Sequence, residues 1–215
     1  PAIYSEASLR KYLRKPFLGI GTILNKKGYQ TSFYCTHDPH IDNMSGFFKL
    51  NGIKKIVSQE NFDGVYSLGA LGVPDHILLD RFILDNRNSN KPFFSIIMTG
   101  SDHGPWKIPQ NISYRPSSDN KEQRCTQYAD WSIGEFLRKA KKQSWYENTV
   151  FVFLGDHGLS MGHTYEMPIS YHHVPCIIHL PKYFKPSTIA TPTYQPDIPA
   201  TIMGILQMNF HNETF

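Results

Sequence analysis

The chain has 215 residues, 40% hydrophobic, 13% aromatic and 19% charged. That balance excludes a disordered polymer and leaves room for one sizeable α/β domain or two small ones. The net charge of +4 is interspersed, with no basic block, which argues against a nucleic-acid partner. No apolar run approaches a membrane span and no signal peptide is visible. A start at Pro1, with no initiator Met, is what a piece of a longer protein would show.

Ser8 to Leu13 and Phe17 to Lys26 read as helical segments separated by Pro16, with Gly28 closing the second. Gln30 to Cys35 is a short strand rich in aromatics and Thr. Thr36 to Phe48 reads as a polar loop, and Ile53 to Val57 as a second strand. Pro74 opens a helix that runs to about Asn86 through Ile77, Leu78, Phe82 and Ile83. Pro92 to Met98 is a nearly continuous apolar strand ending in Thr99-Gly100-Ser101-Asp102-His103-Gly104-Pro105-Trp106. Lys121 to Lys142 has the period of a long amphipathic helix, with Tyr128, Trp131, Ile133, Phe136 and Leu137 facing a core. Thr149 begins another apolar strand, Val174 to Leu180 a further one, and Pro196 to Met208 a last helix.

Strands thus alternate with helices, and the strands are continuous apolar runs. That combination predicts a mostly parallel sheet covered on both faces. Cys35, Cys125 and Cys176 are far apart and form no CxxC, so a disulfide framework is not expected. Cys35 and Cys176 sit in apolar runs and read as small core residues.

The richest segment is Thr149-Val150-Phe151-Val152-Phe153-Leu154-Gly155-Asp156-His157-Gly158. It sets a carboxylate and an imidazole at the carboxyl end of a strand, where open α/β sheets bind ligands. Two readings fit the spacing. Asp156 and His157 are ligands of a divalent cation, or they belong to a turn in which Asp156 accepts backbone N–H groups. The strand ending near His103 tips the balance. If the two strands are neighbours, Asp102, His103, Asp156 and His157 gather at one edge. His103 would then contact a substrate anion or carry a proton, or it is a helix- or turn-capping His hydrogen-bonded to backbone. His163 either faces the same cavity or is a solvated loop residue. His37, in His37-Asp38-Pro39-His40, is either a further contribution to that edge or part of an ordinary polar loop. Of the adjacent His172 and His173, at most one can serve the site.

Leu154-Gly155-Asp156-His157-Gly158, followed by His173-Val174-Pro175-Cys176-Ile177-Ile178, resembles the sulfatase-like branch of the alkaline phosphatase superfamily. The resemblance points to its lipoteichoic acid synthase-like and phosphoethanolamine transferase-like enzymes. It extends through Leu24 to Tyr29, Pro92-Phe93-Phe94, Ser101 to Trp106, Tyr128-Ala129-Asp130, Trp145 to Thr149, and Asp197-Ile198-Pro199-Ala200-Thr201.

The resemblance implies an alkaline phosphatase-like fold, incomplete at the N-terminus, in a single partial domain over residues 1–215. It implies a metal-dependent hydrolase or transferase of phosphate or sulfate esters, acting on an extracytoplasmic lipid headgroup or glycan. Asp156 and His157 would hold the metal, manganese or zinc, with calcium or magnesium as alternatives. His103, His163 and His37 would contact substrate.

The parent protein would be anchored through a missing N-terminal segment at the outer face of a bacterial membrane. Its nucleophile would lie upstream, leaving this piece inactive. The chain departs from the family where Asp42-Asn43-Met44 replaces a Trp-Asn-Arg loop and where no C/S-x-P-x-R signature occurs. A non-catalytic anion- or glycan-binding domain on the same fold is the alternative reading.

Overall fold

The structure, a computed structural model, describes residues 15–63, 72–158 and 169–211. The helix expected over Ser8 to Leu13 and the loop residue His163 lie outside them. Contacts divide the chain into two compact units, residues 1–140 with 196–215, and residues 141–195.

In the first unit, α1 (Ile20–Lys26) leads into β1 (Gln30–Cys35) through Gly28. Gly28 adopts φ +87°, a left-handed conformation that a Cβ disfavours, and its N–H donates to the Asn25 carbonyl. β1 is the central strand of a parallel sheet, between β2 (Lys55–Val57) and β3 (Phe93–Met98). Ser32 aligns with Lys55 on one side and with Ser95 on the other.

Alternate residues of β1 serve opposite faces. Phe33 and Cys35 join Met44, Ile53, Phe48, Ile56, Phe94 and Ile96 in one apolar cluster. Met44 and Phe48 come from α2 (Met44–Leu50). This helix begins inside the stretch expected to be a loop and runs two residues past its end. Met44, Phe47 and Phe48 have helical spacing, but Asp42, Asn43, Ser45 and Gly46 mask it in the sequence. Tyr34 points the other way and meets Phe82 edge-on, 5.4 Å between ring centroids. Phe82 belongs to α3 (Asp75–Asn86) and also touches Phe93 and Phe136, each at 5.9 Å. Phe136 comes from α4 (Lys121–Ala140). Helices therefore cover both faces of the parallel sheet, as the alternation predicts.

Two polar pairs are built into this sandwich. Ser32 Oγ and Ser95 Oγ lie 2.7 Å apart across adjacent strands. The Tyr34 hydroxyl donates to Asp85 Oδ2 at 3.0 Å, an oxygen that Lys55 also reaches at 2.7 Å, while Arg81 binds Oδ1. The chain returns to this unit as α6 (Asp197–Ile205), whose Met203 is fully buried.

The second unit is built on β4 (Phe151–Leu154) and β5 (Cys176–His179), with a single turn of helix, α5 (Ile169–His172), before β5. The two strands pair antiparallel, Phe151 opposite His179 and Leu154 opposite Cys176. Cys176 is exposed, not a core residue as its apolar neighbours suggest, and Ile177 beside it is 59% exposed. The strand expected to be fully buried over Val174–Leu180 is thus half-covered, because β4 is its only sheet partner among the described residues.

Candidate functional site

The sequence repeats one tripeptide, Asp-His-Gly, at 102–104 and 156–158, each time just past a strand. The local geometry repeats with it. His103 Nδ1 lies 2.9 Å from the Gly104 carbonyl, and His157 Nδ1 lies 2.8 Å from the Gly158 carbonyl. A carbonyl can only accept, so Nδ1 carries the proton in both rings. In the neutral ring each Nε2 then keeps its lone pair, on an exposed side chain.

The two carboxylates differ. Asp102 Oδ1 accepts a hydrogen bond from Thr126 Oγ1 at 3.0 Å, which ties its turn to α4. Among the described residues Asp156 has no such tie. Its Oδ1 takes the His157 backbone N–H at 2.9 Å, and its Oδ2 faces His157 Nε2 at 3.6 Å. Two ligands of one tetrahedral cation, each at about 2.0–2.2 Å, stand roughly 3.3–3.6 Å apart. The Oδ2–Nε2 pair matches that edge, with a free carboxylate oxygen and a nitrogen lone pair. The donor chemistry therefore fits a divalent cation.

The turn bearing Asp156 and His157 is held from several sides within its own unit. The Gly155 N–H donates to the Pro175 carbonyl, and the Gly158 N–H to the Tyr171 carbonyl at 2.8 Å. The Tyr171 ring stacks on His157, centroids 4.9 Å apart. Gln195 Nε2 donates to the carbonyls of Gly155 and Asp156 at 3.0 and 2.9 Å. Tyr171 and Gln195 were not legible as site residues, since neither stands near the Gly-Asp-His-Gly run in sequence. A Cβ on Gly155 would lie 3.2 Å from Val174 Cβ, so the close passage of the segment leading into β5 favours glycine there.

In the first unit, parallel strands place like ends together, and the loops after β1, β2 and β3 share one edge. His37 follows β1 and is 6% exposed. Its Nδ1 lies 3.4 Å from Thr36 Oγ1. Burial holds its imidazole below the ordinary value, against the pull of Asp38 and Asp42, so the ring is neutral at pH 7. Beside it, Asp38, His40 and Glu60 bring one ligand atom each within 4.8 Å of one another. Asp38 Oδ1 accepts from the His40 backbone N–H at 2.8 Å and lies 2.9 Å from His40 Nδ1. Those bonds from His40 lower the Asp38 pKa. The three could hold a cation at the surface. Glu60 was missed because nothing in sequence links it to the β1 loop. Only the β1–β2 pairing does.

Among the described residues β3 pairs with β1 alone, and β4 with β5 alone. The His103 turn thus follows a strand of the first unit's sheet, and the His157 turn a strand of the second unit's. Each is organised within its own unit.

The parallel sheet between helix layers is an alkaline phosphatase-like α/β arrangement. A protein of the alkaline phosphatase superfamily from Vibrio parahaemolyticus superposes with a TM-score of 0.79 and 28% identity, over 88% of this chain and 47% of that one. The lipoteichoic acid synthase LtaP from Listeria monocytogenes does so with a TM-score of 0.77 and 20% identity, over 99% of this chain and 58% of the other. The Sulfatase family profile matches residues 3–208, and the chain belongs to that family. Lipoteichoic acid synthase-like YvgJ of Bacillus subtilis is 29% identical over 201 residues, 83% of this chain and 32% of its own length. Lipoteichoic acid synthase of Staphylococcus aureus is 23% identical over 150 residues, 66% of this chain and 23% of its own. The chain thus spans a third or less of these curated relatives.

Proposed function

We propose that the protein carrying this chain is a metal-dependent phosphoryl-transfer enzyme acting on a phosphate ester at the extracytoplasmic face of a bacterial membrane. The observation that carries the reading is the pairing of His157 Nε2 with Asp156 Oδ2 at 3.6 Å, with Nδ1 committed to the Gly158 carbonyl. Membership of the Sulfatase family supports ester chemistry, and the likeness to proteins named for lipoteichoic acid synthesis supports phosphate as the group transferred.

In this reading Asp156 and His157 hold a divalent cation, manganese or zinc. When bound, such a cation polarises the ester and lowers the pKa of the attacking group. His103, with its proton fixed on Nδ1, turns an Nε2 lone pair outward. Protonated, it donates to a phosphoryl oxygen; neutral, it accepts a proton from the incoming group. His163 and the neutral, buried His37 complete the substrate contacts. The nucleophile is supplied by a part of the protein outside these 215 residues, and the chain alone is inactive. The parent is membrane-anchored by another segment. No helix of the described residues is long and apolar enough to cross a membrane.

Manganese titration and phosphodiesterase assay of the full-length protein test this against an Asp156→Ala, His157→Ala variant. The variant should lose more than about 100-fold in metal affinity, beyond what loss of an outer-shell partner costs, and its turnover should vanish. Equal affinity and equal turnover would end the proposal. Undiminished metal and anion binding with no turnover in the wild type would favour the binding-domain alternative.

A further inference from the structure

We infer that Asp75, at the first turn of α3, is a positioning residue for His103, docking the turn after β3 onto the end of that helix. The inference rests on the reading of His103 as a phosphate contact.

Asp75 is 1% exposed. A carboxylate so placed is costly unless it does something an apolar residue cannot. Its Oδ1 accepts two backbone hydrogen bonds, from the Gly100 N–H at 2.9 Å and the Ser101 N–H at 3.1 Å. The bond is returned: the Asp75 N–H donates to Ser101 Oγ at 3.3 Å. Gly100 and Ser101 lie past Met98, the last residue of β3, so the sheet ladder no longer supplies them with acceptors. Asp75 supplies one, and Ser101 in turn satisfies a helix-terminal N–H that has no intrahelical partner. Two residues on stands His103.

The other side of the turn is held independently, by Thr126 of α4 bonding Asp102. The turn is thus gripped from α3 at 100–101 and from α4 at 102. The His103 ring itself is restrained by its Nδ1–H bond to the Gly104 carbonyl and by the Trp106 ring, 6.4 Å away at 27°. A group that must meet a phosphoryl oxygen gains most when its supports are already in place before substrate arrives.

Asp75 Oδ2 has no hydrogen-bond partner among the described residues. Asn can therefore replace Asp with its carbonyl oxygen in the Oδ1 position and lose no bond, whereas Ala removes the acceptor. The two substitutions should part company.

Amide exchange in the full-length protein reads the docking directly. The Gly100 and Ser101 amides should be protected in the wild type and in Asp75→Asn, and unprotected in Asp75→Ala. Calorimetry with inorganic phosphate, in the presence of manganese, reads the consequence. Affinity should fall about 10- to 100-fold in Asp75→Ala, the range seen for groups that orient a functional side chain, and recover in Asp75→Asn. On a His103→Gln background Asp75→Ala should cost nothing further, since it acts through His103.

Exposed Gly100 and Ser101 amides in the wild type overturn the role, and that measurement needs no variant that might fail to fold. So does unchanged affinity in Asp75→Ala when His103→Gln has lost it, or a full additional loss in the double variant. Unchanged affinity in His103→Gln, with the amides protected, overturns the phosphate-site reading instead.

Discussion

Burial decides the chemistry of individual side chains here more than their neighbours in sequence do. Cys35 and Cys176 both sit in apolar runs. Cys35 is fully buried, and desolvation pushes its thiol up to about 11, while Cys176 lies exposed on β5. Thiol titration of the native chain should therefore modify Cys176 and leave Cys35 and the buried Cys125 untouched until denaturant is added; early loss of Cys35 would contradict the packing. His76 shows the same effect with an opposite sign. Burial lowers its pKa from 6.5, with Asp80 opposing and Lys139 assisting, and its Nδ1 lies 2.6 Å from the Tyr128 hydroxyl. The folded value lies below the unfolded one, so unfolding takes up a proton between the two. Its contribution to stability is complete above 6.5 and is lost as pH falls towards the depressed value. Urea midpoints should drop on acidification through that window, and His76→Gln should flatten the drop, leaving the like-signed share of His37.

At the scale of elements, the parallel register explains why loops far apart in sequence meet. β1 aligned with β2 carries Glu60 to Asp38 and His40. β1 aligned with β3 puts the His103 turn at the same edge. The tightest joint at that edge is Gly72. At φ +72°, a Cβ there would lie 1.7 Å from the Thr36 carbonyl oxygen, which already accepts the Val73 N–H at 2.8 Å. Gly72→Ala cannot keep both the contact and the backbone, and should cost at least about 1–3 kcal/mol, read by urea denaturation, while displacing the loop that carries His37. On the opposite face of the sheet, Phe82 touches Tyr34, Phe93 and Phe136 and is 4% exposed. Phe82→Ala should cost about 3–5 kcal/mol in the same measurement. A loss under 1 kcal/mol, on the order of one ordinary hydrogen bond, would show that α3 does not seal the sheet.

The whole molecule is two compact units, the first made of residues on both sides of the second in sequence. Cation binding should be visible at this scale without any assay of turnover. A ligand that binds only the folded state at 100 times its dissociation constant adds about 2.7 kcal/mol. Manganese should therefore raise the melting temperature of the wild type and leave an Asp156→Asn, His157→Gln variant unmoved. An equal rise in both would move the cation to the Asp38, His40 and Glu60 group.

Much of this protein was legible before any coordinates. β1 was expected over its observed residues, α3 from Pro74 to Asn86, and α4 within two residues of its end, because period and punctuation are local properties of the chain. The Gly-Asp-His-Gly turn and the family resemblance were equally local. Tertiary structure alone decided three things. α2 emerged where polar residues hid an apolar stripe, since only the Phe33 face of the sheet reveals what Met44 and Phe48 pack against. β5 paired antiparallel with β4 and stayed half exposed, a matter of which strands hydrogen-bond rather than of composition. Asp75, Thr126, Tyr171 and Gln195 became the supports of the two His-bearing turns. A side chain's role as a support depends on where another backbone segment ends, and no reading of its own neighbours contains that distance.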